Sequence, residues 1–550
     1  MTGAQIVVET LIEQGTEVVF GYPGGAVLNL YDELYKSRDR IKHVLSAHEQ
    51  GAAHAGDGYA RATGKVGVVF ATSGPGATNL VTGIANAYLD SVPVVFITGN
   101  VPCSLIGRDS FQEVDITGVT LPVVKHSYFV KDVTKLADTI REAFQIARSG
   151  RPGPVLIDIP KDVQIADCDF ECKDILPELS KPKYNDDQIE KAVEMIKAAR
   201  KPYIFVGGGV IIGEAEKEVA ELAEKTDAPI GTSMMGLSAV PASSHRKLGM
   251  VGMHGIYSST VVKNKADLVI ALGCRFSDRA TGNRAAYLKN SKIIHIDVDA
   301  AEINKNIGVD LGIVGDVKEV LLKLLDRIEP TTHMEWWCEI EKIKEYEREN
   351  SAKQEGFSPF KIIEKVNEYT NPDTPIATDV GQHQMWVAQH YNFETPKTLI
   401  TSGGLGTMGF GMGAAIGACV ATGKRTVLFT GDGSFGMNLN EMATAVSQNL
   451  PLVVVLMNNG VLGMVRQWQT MFYQKHYSET TLERKTDFVK LTEAFGGKGY
   501  RATNIEELDA ALKDAFSTEG PVLIDCVIDS DERVLPMIPA GGTVNDLVIN

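Results

Sequence analysis

The sequence predicts an α/β protein built from three doubly wound parallel-sheet domains, and three observations carry this. Short apolar runs rich in Val and Ile alternate with helical patterns along the whole chain, the signature of strand–helix–strand units. The length of 550 residues exceeds what one core holds and suits three or four domains. The first and last thirds also echo each other. VVFATSGPGATNL (68–80) parallels VLFTGDGSFGMNL (427–439), SVPVVFIT (91–98) parallels NLPLVVVL (449–456), and GPVLID occurs at 153–158 and at 520–525. Parallel strands look alike in general, but three echoes in the same order point to a duplicated domain.

The first domain is taken as residues 1–165. MTGAQIVVETLIEQG reads as an amphipathic helix, and strands are expected at Val18–Phe20, Val66–Thr72, Val92–Thr98 and Val155–Ile159. The polar, acidic stretch from Asp167 to Asp187, with Pro177 and Pro182, reads as a linker (166–187). The second domain is taken as 188–345, with strands PYIFV (202–206), DLVIALG (267–273) and KIIHIDVD (292–299). The charged segment from Glu339 to Glu355 reads as a helix and linker into the third domain, 356–550.

Composition narrows the function. Hydrophobic residues are 44% and charged residues 23% of the chain, which fits a globular protein with an ample core. The net charge of −16 and the lack of a basic run argue against a nucleic-acid partner. The seven cysteines are scattered, and only Cys168 and Cys172 are near neighbours, with no second ligand pair. A reducing compartment is therefore expected rather than a disulfide framework. No secretion signal or membrane span is read, so the expected location is the cytoplasm.

The chemistry concentrates at GDG (431–433) and NN (458–459). Each follows an apolar run, and residues 434–457 between them leave room for one helix and the next strand. Two strand ends of a parallel sheet would place Asp432 and Asn459 side by side, as hard oxygen ligands for Mg²⁺ on a diphosphate. Gly431 and Gly433 would let the backbone approach the phosphate oxygens. GDG alone is ordinarily a turn, but with NN at this spacing it resembles the signature of thiamin diphosphate (ThDP) enzymes. Such enzymes need a carboxylate beside the aminopyrimidine ring to promote proton transfer from the thiazolium. Glu49, in HEQGA, matches that position. The resemblance divides the echoed copies into a pyrimidine-binding first domain and a diphosphate-binding third domain.

The resemblance sharpens to the catalytic (large) subunit of acetohydroxyacid synthases over essentially the whole chain. It rests on FGYPGGAV (20–27), AHEQGA (47–52), TSGPGATN (72–79), SFQE (110–113), SGRPGPVLIDIPKD (149–162), GMHG (252–255), GCRFSDRATG (273–282), IDVDAAEI (296–303), GMVRQWQ (463–469) and VLPMIPAGG (534–542). It implies decarboxylation of pyruvate and ligation of the two-carbon unit to a second pyruvate or to 2-oxobutyrate, early in branched-chain amino-acid synthesis. The residues implied for ThDP are Tyr22, Pro23, Gly24, Glu49, Pro75, Val380, Gly381, Gln382, His383, Gly406, Met408, Gly431, Asp432, Gly433, Ser434, Asn459, Val461, Leu462, Gly463 and Met464. The Val461 carbonyl would join Asp432 and Asn459 on Mg²⁺, the Gly406 carbonyl would receive an aminopyrimidine N–H, and Met408 would hold the cofactor bent. Glu49, Gln112, Gly406 and Lys161 are implied as catalytic, and Phe111, Arg279, Met464 and Trp468 as substrate-facing. Arg279 would receive the acceptor's carboxylate.

The middle domain resembles the FAD-binding domain of the biosynthetic enzymes, where the flavin is regarded as structural. The implied contacts are Arg151, Gly207, Gly208, Gly209, Ser233, Met234, Gly252, Met253, His254, Gly273, Arg275, Asp278, Arg279, Asp297, Val298, Asp316 and Val317. A homodimer or homotetramer is implied, and a regulatory small subunit is expected as a separate chain. Ser104, Arg108, Ala540 and Gly460–Val461 depart from the common family pattern. Within the ThDP class, a pyruvate oxidase or simple 2-keto acid decarboxylase is the competing reading, and Trp468, Arg279 and Phe111–Gln112 argue against it. A non-catalytic flavin-binding scaffold is disfavoured by Glu49, Asp432 and Asn459.

Overall fold

The computed structural model describes residues 1–351 and 356–549. It contains three six-stranded sheets, and every strand pair within them is parallel. The first sheet holds β1 (Val18–Gly21), β2 (Lys42–Leu45), β3 (Gly67–Ala71), β4 (Val94–Asn100), β5 (His126–Phe129) and β6 (Val155–Pro160), in the order β2-β1-β3-β4-β6-β5. The second holds β7 (Pro202–Val206), β8 (Ile230–Thr232), β9 (Lys247–Met250), β10 (Leu268–Leu272), β11 (Lys292–Asp297) and β12 (Leu311–Val314), in the order β12-β11-β10-β7-β8-β9. The third holds β13 (Ile376–Thr378), β14 (Leu399–Ile400), β15 (Thr426–Gly431), β16 (Leu452–Asn458), β17 (Lys498–Ala502) and β18 (Val522–Val527), in the order β14-β13-β15-β16-β18-β17.

The first and third sheets therefore share one strand order, and the three sequence echoes fall on equivalent strands: β3 and β15, β4 and β16, β6 and β18. Every residue of β3, β4, β6 and β15 is buried, as expected of strands covered by helices on both faces. In each of these sheets the chain reverses direction across the sheet between the first and third strands. Ligands of such folds bind at that switch point, beyond the carboxyl ends of the strands.

Some local expectations are corrected. β2 and β5 were not read from the sequence; both lie at sheet edges and their side chains are largely exposed or half-buried, so they carry no strong apolar run. Between GDG and NN stand two short helices, Asp432–Asn438 and Glu441–Ser447, rather than one. The expected linker lies along the first domain: Arg141 donates to the Glu171 carbonyl (2.7 Å), Gln145 to that of Pro177 (2.6 Å), and Leu179 N–H to Ser149 Oγ (2.9 Å). The charged helix starts at Met334, ahead of the expected Glu339, and ends at Asn350, with Trp336 buried in the middle domain; residues 352–355 of the expected helix and linker lie outside the described residues, as does residue 550.

Helix Glu49–Thr63 of the first domain packs on helix Phe410–Thr422 of the third. Small residues allow the approach. A Cβ on Gly413 would lie 2.6 Å from the Gly51 carbonyl oxygen, and one on Gly58 would lie 2.7 Å from Ala414 Cα. All residues from Phe410 to Cys419 are buried. Among the described residues no helix is long and apolar enough to cross a membrane.

Asp158 on β6 is a buried carboxylate that accepts hydrogen bonds from Thr98 Oγ1 (2.7 Å) and Asn100 Nδ2 (2.6 Å). Burial is the largest influence and pushes its pKa from 3.8 up to about 7, against the opposing effect of the hydrogen bonds. The folded chain then binds this proton more tightly than the unfolded chain does. Its stabilising contribution is full below about pH 4 and is lost as pH rises through about 7, by at most roughly 4 kcal/mol. Amide exchange at β4 and β6, corrected for intrinsic rates, should accelerate across this window, and Asp158→Asn should flatten the dependence. An unchanged slope in the variant contradicts the assignment.

Candidate active site

The third sheet gathers the polar cluster at its switch point. β13 runs into Asp379, Val380 and Gly381, and Gln382–His390 is the helix that follows. β15 ends at Gly431, so Asp432 opens the next helix. β16 ends at Asn458, with Asn459 just beyond. Asn459 Nδ2 donates to Gln382 Oε1 (3.2 Å), and Val461 N–H donates to Asn459 Oδ1 (3.2 Å). Gln382 in turn donates to Gln467 Oε1 (3.1 Å) and to the Glu532 carbonyl (2.7 Å). Ser434 Oγ donates to the Val380 carbonyl (2.8 Å), tying β13's loop to the Asp432 helix. Leu462 N–H donates to the Thr480 carbonyl (2.8 Å).

Two features of this cluster fit a bound metal diphosphate. Asp432 is buried, which pushes its pKa up to about 6 although nearby backbone N–H groups hold it down; a cation at this point would restore the carboxylate. His383 is also buried, and burial lowers its pKa to about 3, so the imidazole is neutral. Its Nε2 has no hydrogen-bond partner. A Cβ on Gly431 would lie 3.0 Å from His383 Nδ1, and one on Gly433 would lie 2.8 Å from Leu462 Cδ2, so neither site accommodates a side chain without movement. Gly381 adopts φ +154 and leaves room for His383. Among the described residues no three His, Cys, Asp or Glu side chains form a metal cluster. A cation here would rely on one carboxylate, one carboxamide, a backbone carbonyl and the oxygens of its own ligand.

A cavity of about 1070 Å³ runs from the middle domain into the third, larger than the ~300–1,000 Å³ of most small-molecule sites. Its third-domain wall includes Val380, Gly381, Gly406, Met408, Met464 and Trp468. Trp468 lies on helix Gly463–Phe472 and packs on Phe472, ring centroids 5.2 Å apart. The middle-domain wall holds Gly208, Gly209, Ser233, Met234, Met253, His254, Gly273, Arg275, Asp278, Arg279, Asp297, Val298, Asp316 and Val317, joined by Arg151 of the first domain. Gly207 and Gly252 stand behind it, where a Cβ would meet the carbonyls of Gly273 and Arg279.

This wall fits a dinucleotide. Gly209 N–H donates to the Gly273 carbonyl (3.0 Å), and a Cβ on Gly273 would lie 2.6 Å from Gly209 Cα, so the loops after β7 and β10 touch backbone to backbone. Asp297 is buried at the end of β11 and pushed up to about 6 by that burial. His254 is buried, held neutral with a pKa of about 4, and its Nδ1 has no partner. Arg151 donates to Ser91 Oγ within the first domain (2.8 Å) and reaches across to Glu302 of the middle domain (2.7 Å). Arg279 Nη1 lies 3.4 Å from Met253 Sδ.

The remaining residues stand elsewhere. Glu49 is buried at the first position of its helix, where the macrodipole favours a carboxylate, and it accepts a hydrogen bond from Asn79 Nδ2 (2.9 Å). Gly76 comes within a Cβ distance of 3.1 Å of Glu49 Oε1. Tyr22, Pro23, Gly24 and Pro75 follow β1 and β3, at the first sheet's own switch point. Gln112 has φ +59 and packs its backbone on Gly74. Phe111 is 87% exposed and Lys161 is exposed. None of these lines the cavity, and neither do His383, Asp432 and Asn459.

Sequence reading missed several supports. Asp379 is buried and accepts from the Gly409 (2.8 Å) and Val380 (3.0 Å) N–H groups, so it fixes the turn that carries Met408; it opens the DVGQHQ motif, and that was its signal. Glu441 accepts from the Ala47 (3.2 Å) and His48 (3.0 Å) N–H groups and so anchors the entry to the Glu49 helix from the third domain. Nothing local to Glu441 announces that contact.

The fold and both clusters define a cofactor-dependent enzyme of the ThDP type. Residues 1–119 match the family described as "Thiamine pyrophosphate enzyme, N-terminal TPP binding domain", residues 189–324 its central domain and residues 379–526 its C-terminal TPP binding domain. Thiamine pyrophosphate is another name for ThDP. The acetolactate synthase of Mycobacterium leprae is 46% identical, over 100% of this chain and 90% of its own length. The acetolactate synthase large subunit of Haemophilus influenzae is 43% identical, over 100% and 98%. The acetolactate synthase isozyme 3 large subunit of Escherichia coli K12 is likewise 43% identical, over 100% and 98%. The chain belongs to the acetolactate synthase large-subunit family of thiamine pyrophosphate enzymes.

Gly463 tests the cluster's geometry. A Cβ there would collide with Gln382 Oε1 and lie 2.7 Å from Asn459 Nδ2. Gly463→Ala should therefore part Gln382 from Asn459 and raise half-saturating ThDP about tenfold, or ~1.4 kcal/mol, with the far-UV circular dichroism unchanged. Unaltered ThDP binding contradicts this arrangement.

Proposed function

We propose that the chain is the catalytic subunit of an acetolactate synthase. It decarboxylates pyruvate and joins the two-carbon unit to a second pyruvate, giving 2-acetolactate, or to 2-oxobutyrate, giving 2-aceto-2-hydroxybutyrate. The observation that carries this reading is that Met464 and Trp468 share one cavity wall with Val380, Gly381, Gly406 and Met408. The selectivity residues and the loops expected to hold the cofactor thus face the same space. Bound ThDP supplies the electron sink for decarboxylation and the carbon nucleophile for ligation.

The chain's own residues do the rest. Asp432, Asn459 and the Val461 carbonyl are the proposed Mg²⁺ ligands, and His383, Gln382, Gly431, Gly433 and Ser434 line the diphosphate. Neutral His383 can donate a hydrogen bond without adding a charge that would compete with the cation. Glu49 would exchange a proton with a bound pyrimidine ring, and the Gly406 carbonyl would accept a hydrogen bond from its amino group. Arg279 holds the acceptor's carboxylate, and Trp468 packs on its alkyl end. FAD is the proposed occupant of the middle-domain wall, as a structural rather than a redox group. The buried, partnerless His254 Nδ1 and the glycine-lined loops support that choice.

Glu49, Gln112, Phe111 and Lys161 stand away from the cavity within one chain, and Phe111 and Tyr22 are exposed. A second copy would bring these groups to the site, so a homodimer or homotetramer is part of the proposal. Relatives are named large subunits, which supports a separate regulatory small subunit. Seven free cysteines suit the reducing cytoplasm.

The test is a product assay with pyruvate and 2-oxobutyrate together, with and without ThDP, Mg²⁺ and FAD. Acetolactate and acetohydroxybutyrate are expected; acetyl phosphate or free aldehyde would overturn the reading. Glu49→Gln should still bind ThDP but lose most turnover, whereas Asp432→Ala should weaken Mg²⁺-dependent ThDP binding. Wild-type turnover by Glu49→Gln at saturating cofactor would remove Glu49 from catalysis. In the same assay Trp468→Leu should lower the preference for 2-oxobutyrate by roughly 1–3 kcal/mol, about ten- to a hundredfold, the scale of one methylene in an apolar site. An unchanged product ratio would make Trp468 structural.

A further inference from the structure

A buried polar network links the first domain to the glycine-rich loop of the third. Arg61 Nε donates to Asp57 Oδ1 (2.5 Å) and its Nη2 to Asp90 Oδ2 (2.9 Å). The Arg61 side chain is 8% exposed and those of Asp57 and Asp90 are fully buried. Arg61 also lies over the Phe410 ring, 5.5 Å from its centroid. Asn86, fully buried, donates to Asp57 Oδ2 (3.0 Å). Its Oδ1 accepts from Ser402 Oγ (2.6 Å) and from Thr407 Oγ1 (3.1 Å). Ser402 Oγ accepts from Thr407 N–H (2.9 Å), closing the loop on itself, and Asp90 Oδ2 accepts from Gly403 N–H (3.0 Å).

We propose that Asn86 and Asp90 are positioning residues, which hold the 402–407 loop in the shape that presents Gly406 and Met408 to ThDP. The argument is one of freedom and its removal. Gly403, Gly404 and Gly406 lie on no helix or strand and are exposed, and glycine has the most backbone freedom to lose. The loop is restrained at both ends by one carboxamide, through Ser402 and Thr407, and near its start by one carboxylate, through Gly403. Asn86 and Asp90 lie on or at the end of one helix, Val81–Asp90, so a single rigid element sets both restraints. Neither acts on substrate; each acts through the loop. Asp57 and Arg61 keep the pair oriented, since Asp57 takes the Asn86 amide and the Asp90 Oδ2 that accepts from Gly403 N–H also accepts from Arg61.

The inference rests on the ThDP reading of Gly406 and Met408, and its test separates the two. In the full-length chain, Asn86→Ala removes both loop contacts and leaves the Arg61 ion pairs in place. Hydrogen exchange of a peptide covering 401–411, measured without cofactor, should accelerate about tenfold or more, the scale of one to two lost hydrogen bonds. Exchange at β15 should not change. Half-saturating ThDP, followed by tryptophan fluorescence with Mg²⁺ present, should rise about tenfold while kcat at saturation stays within about twofold. Ser402→Ala should shift both readouts in the same direction by less, and adding it to Asn86→Ala should bring little further loss. Wild-type exchange at 401–411, or wild-type ThDP saturation in both variants, overturns the proposal. A lowered kcat with unchanged saturation overturns it too, because that pattern assigns the pair to chemistry rather than positioning. Absence of acetolactate from a chain that binds ThDP would refute the activity and leave these loop measurements standing.

Discussion

Helices Glu49–Thr63 and Phe410–Thr422 approach so closely that backbone atoms of one occupy the space where side chains of the other would stand. Much of the architecture hangs on this contact between the first and third domains. It needs glycine at positions 58, 413 and 417; beside it, a Cβ on Gly51 would meet the side chain of Glu441, which accepts from the N–H groups of Ala47 and His48. The first residue after those groups is Glu49. The entry to the helix that carries the carboxylate proposed for catalysis is thus anchored by a different domain, while Asn79 of its own domain holds the carboxylate itself. The same contact sets the helix Val81–Asp90 over the 402–407 loop and brings Arg61 onto Phe410.

The duplicated sheet explains how one strand order serves two purposes. After β3 the chain turns through Gly74 and Pro75, and after β15 it turns through Gly431 and Asp432. The first copy therefore offers no metal ligand at that strand end, while the third offers a buried carboxylate whose raised pKa favours pairing with a cation. The middle sheet uses its own switch point, between β7 and β10, for backbone contact among Gly207, Gly209 and Gly273. Three sheets of one class thus present three different strand-end chemistries, and function follows the loops rather than the fold.

Sequence carried the sheets and the strand-end clusters because both leave local marks. β3, β4, β15 and β16 are continuous apolar runs; GDG and NN sit at the ends of β15 and β16, and DVGQHQ follows β13. Edge strands β2 and β5 were illegible because their half-exposed residues carry no apolar pattern. The break at Leu439–Asn440 was missed because neither glycine nor proline marks it. Asn86 and Asp90 lie in plain helical sequence, and their loop partners Ser402, Gly403 and Thr407 are more than 300 residues away. No periodicity reports a pair of that separation. Phe111 and Lys161 mark the other boundary: motif context names them, yet within one chain they face solvent.

That boundary bears on the proposal that two copies complete the site, with Glu49 from one and Asp432 from the other. Mixing the two variants, assayed at a ThDP concentration that leaves Asp432→Ala unsaturated and each variant alone nearly inactive, tests it directly. When Glu49→Gln and Asp432→Ala chains are dissociated, combined and reassembled, each mixed pair has one site carrying both lesions and one site carrying neither. Random pairing should then restore roughly a quarter of wild-type acetolactate formation from two preparations that are each nearly inactive, as expected for a two-fold symmetric assembly. Failure to recover activity, with mixed pairs demonstrated by differential tags, would contradict the account and return both residues to a single chain.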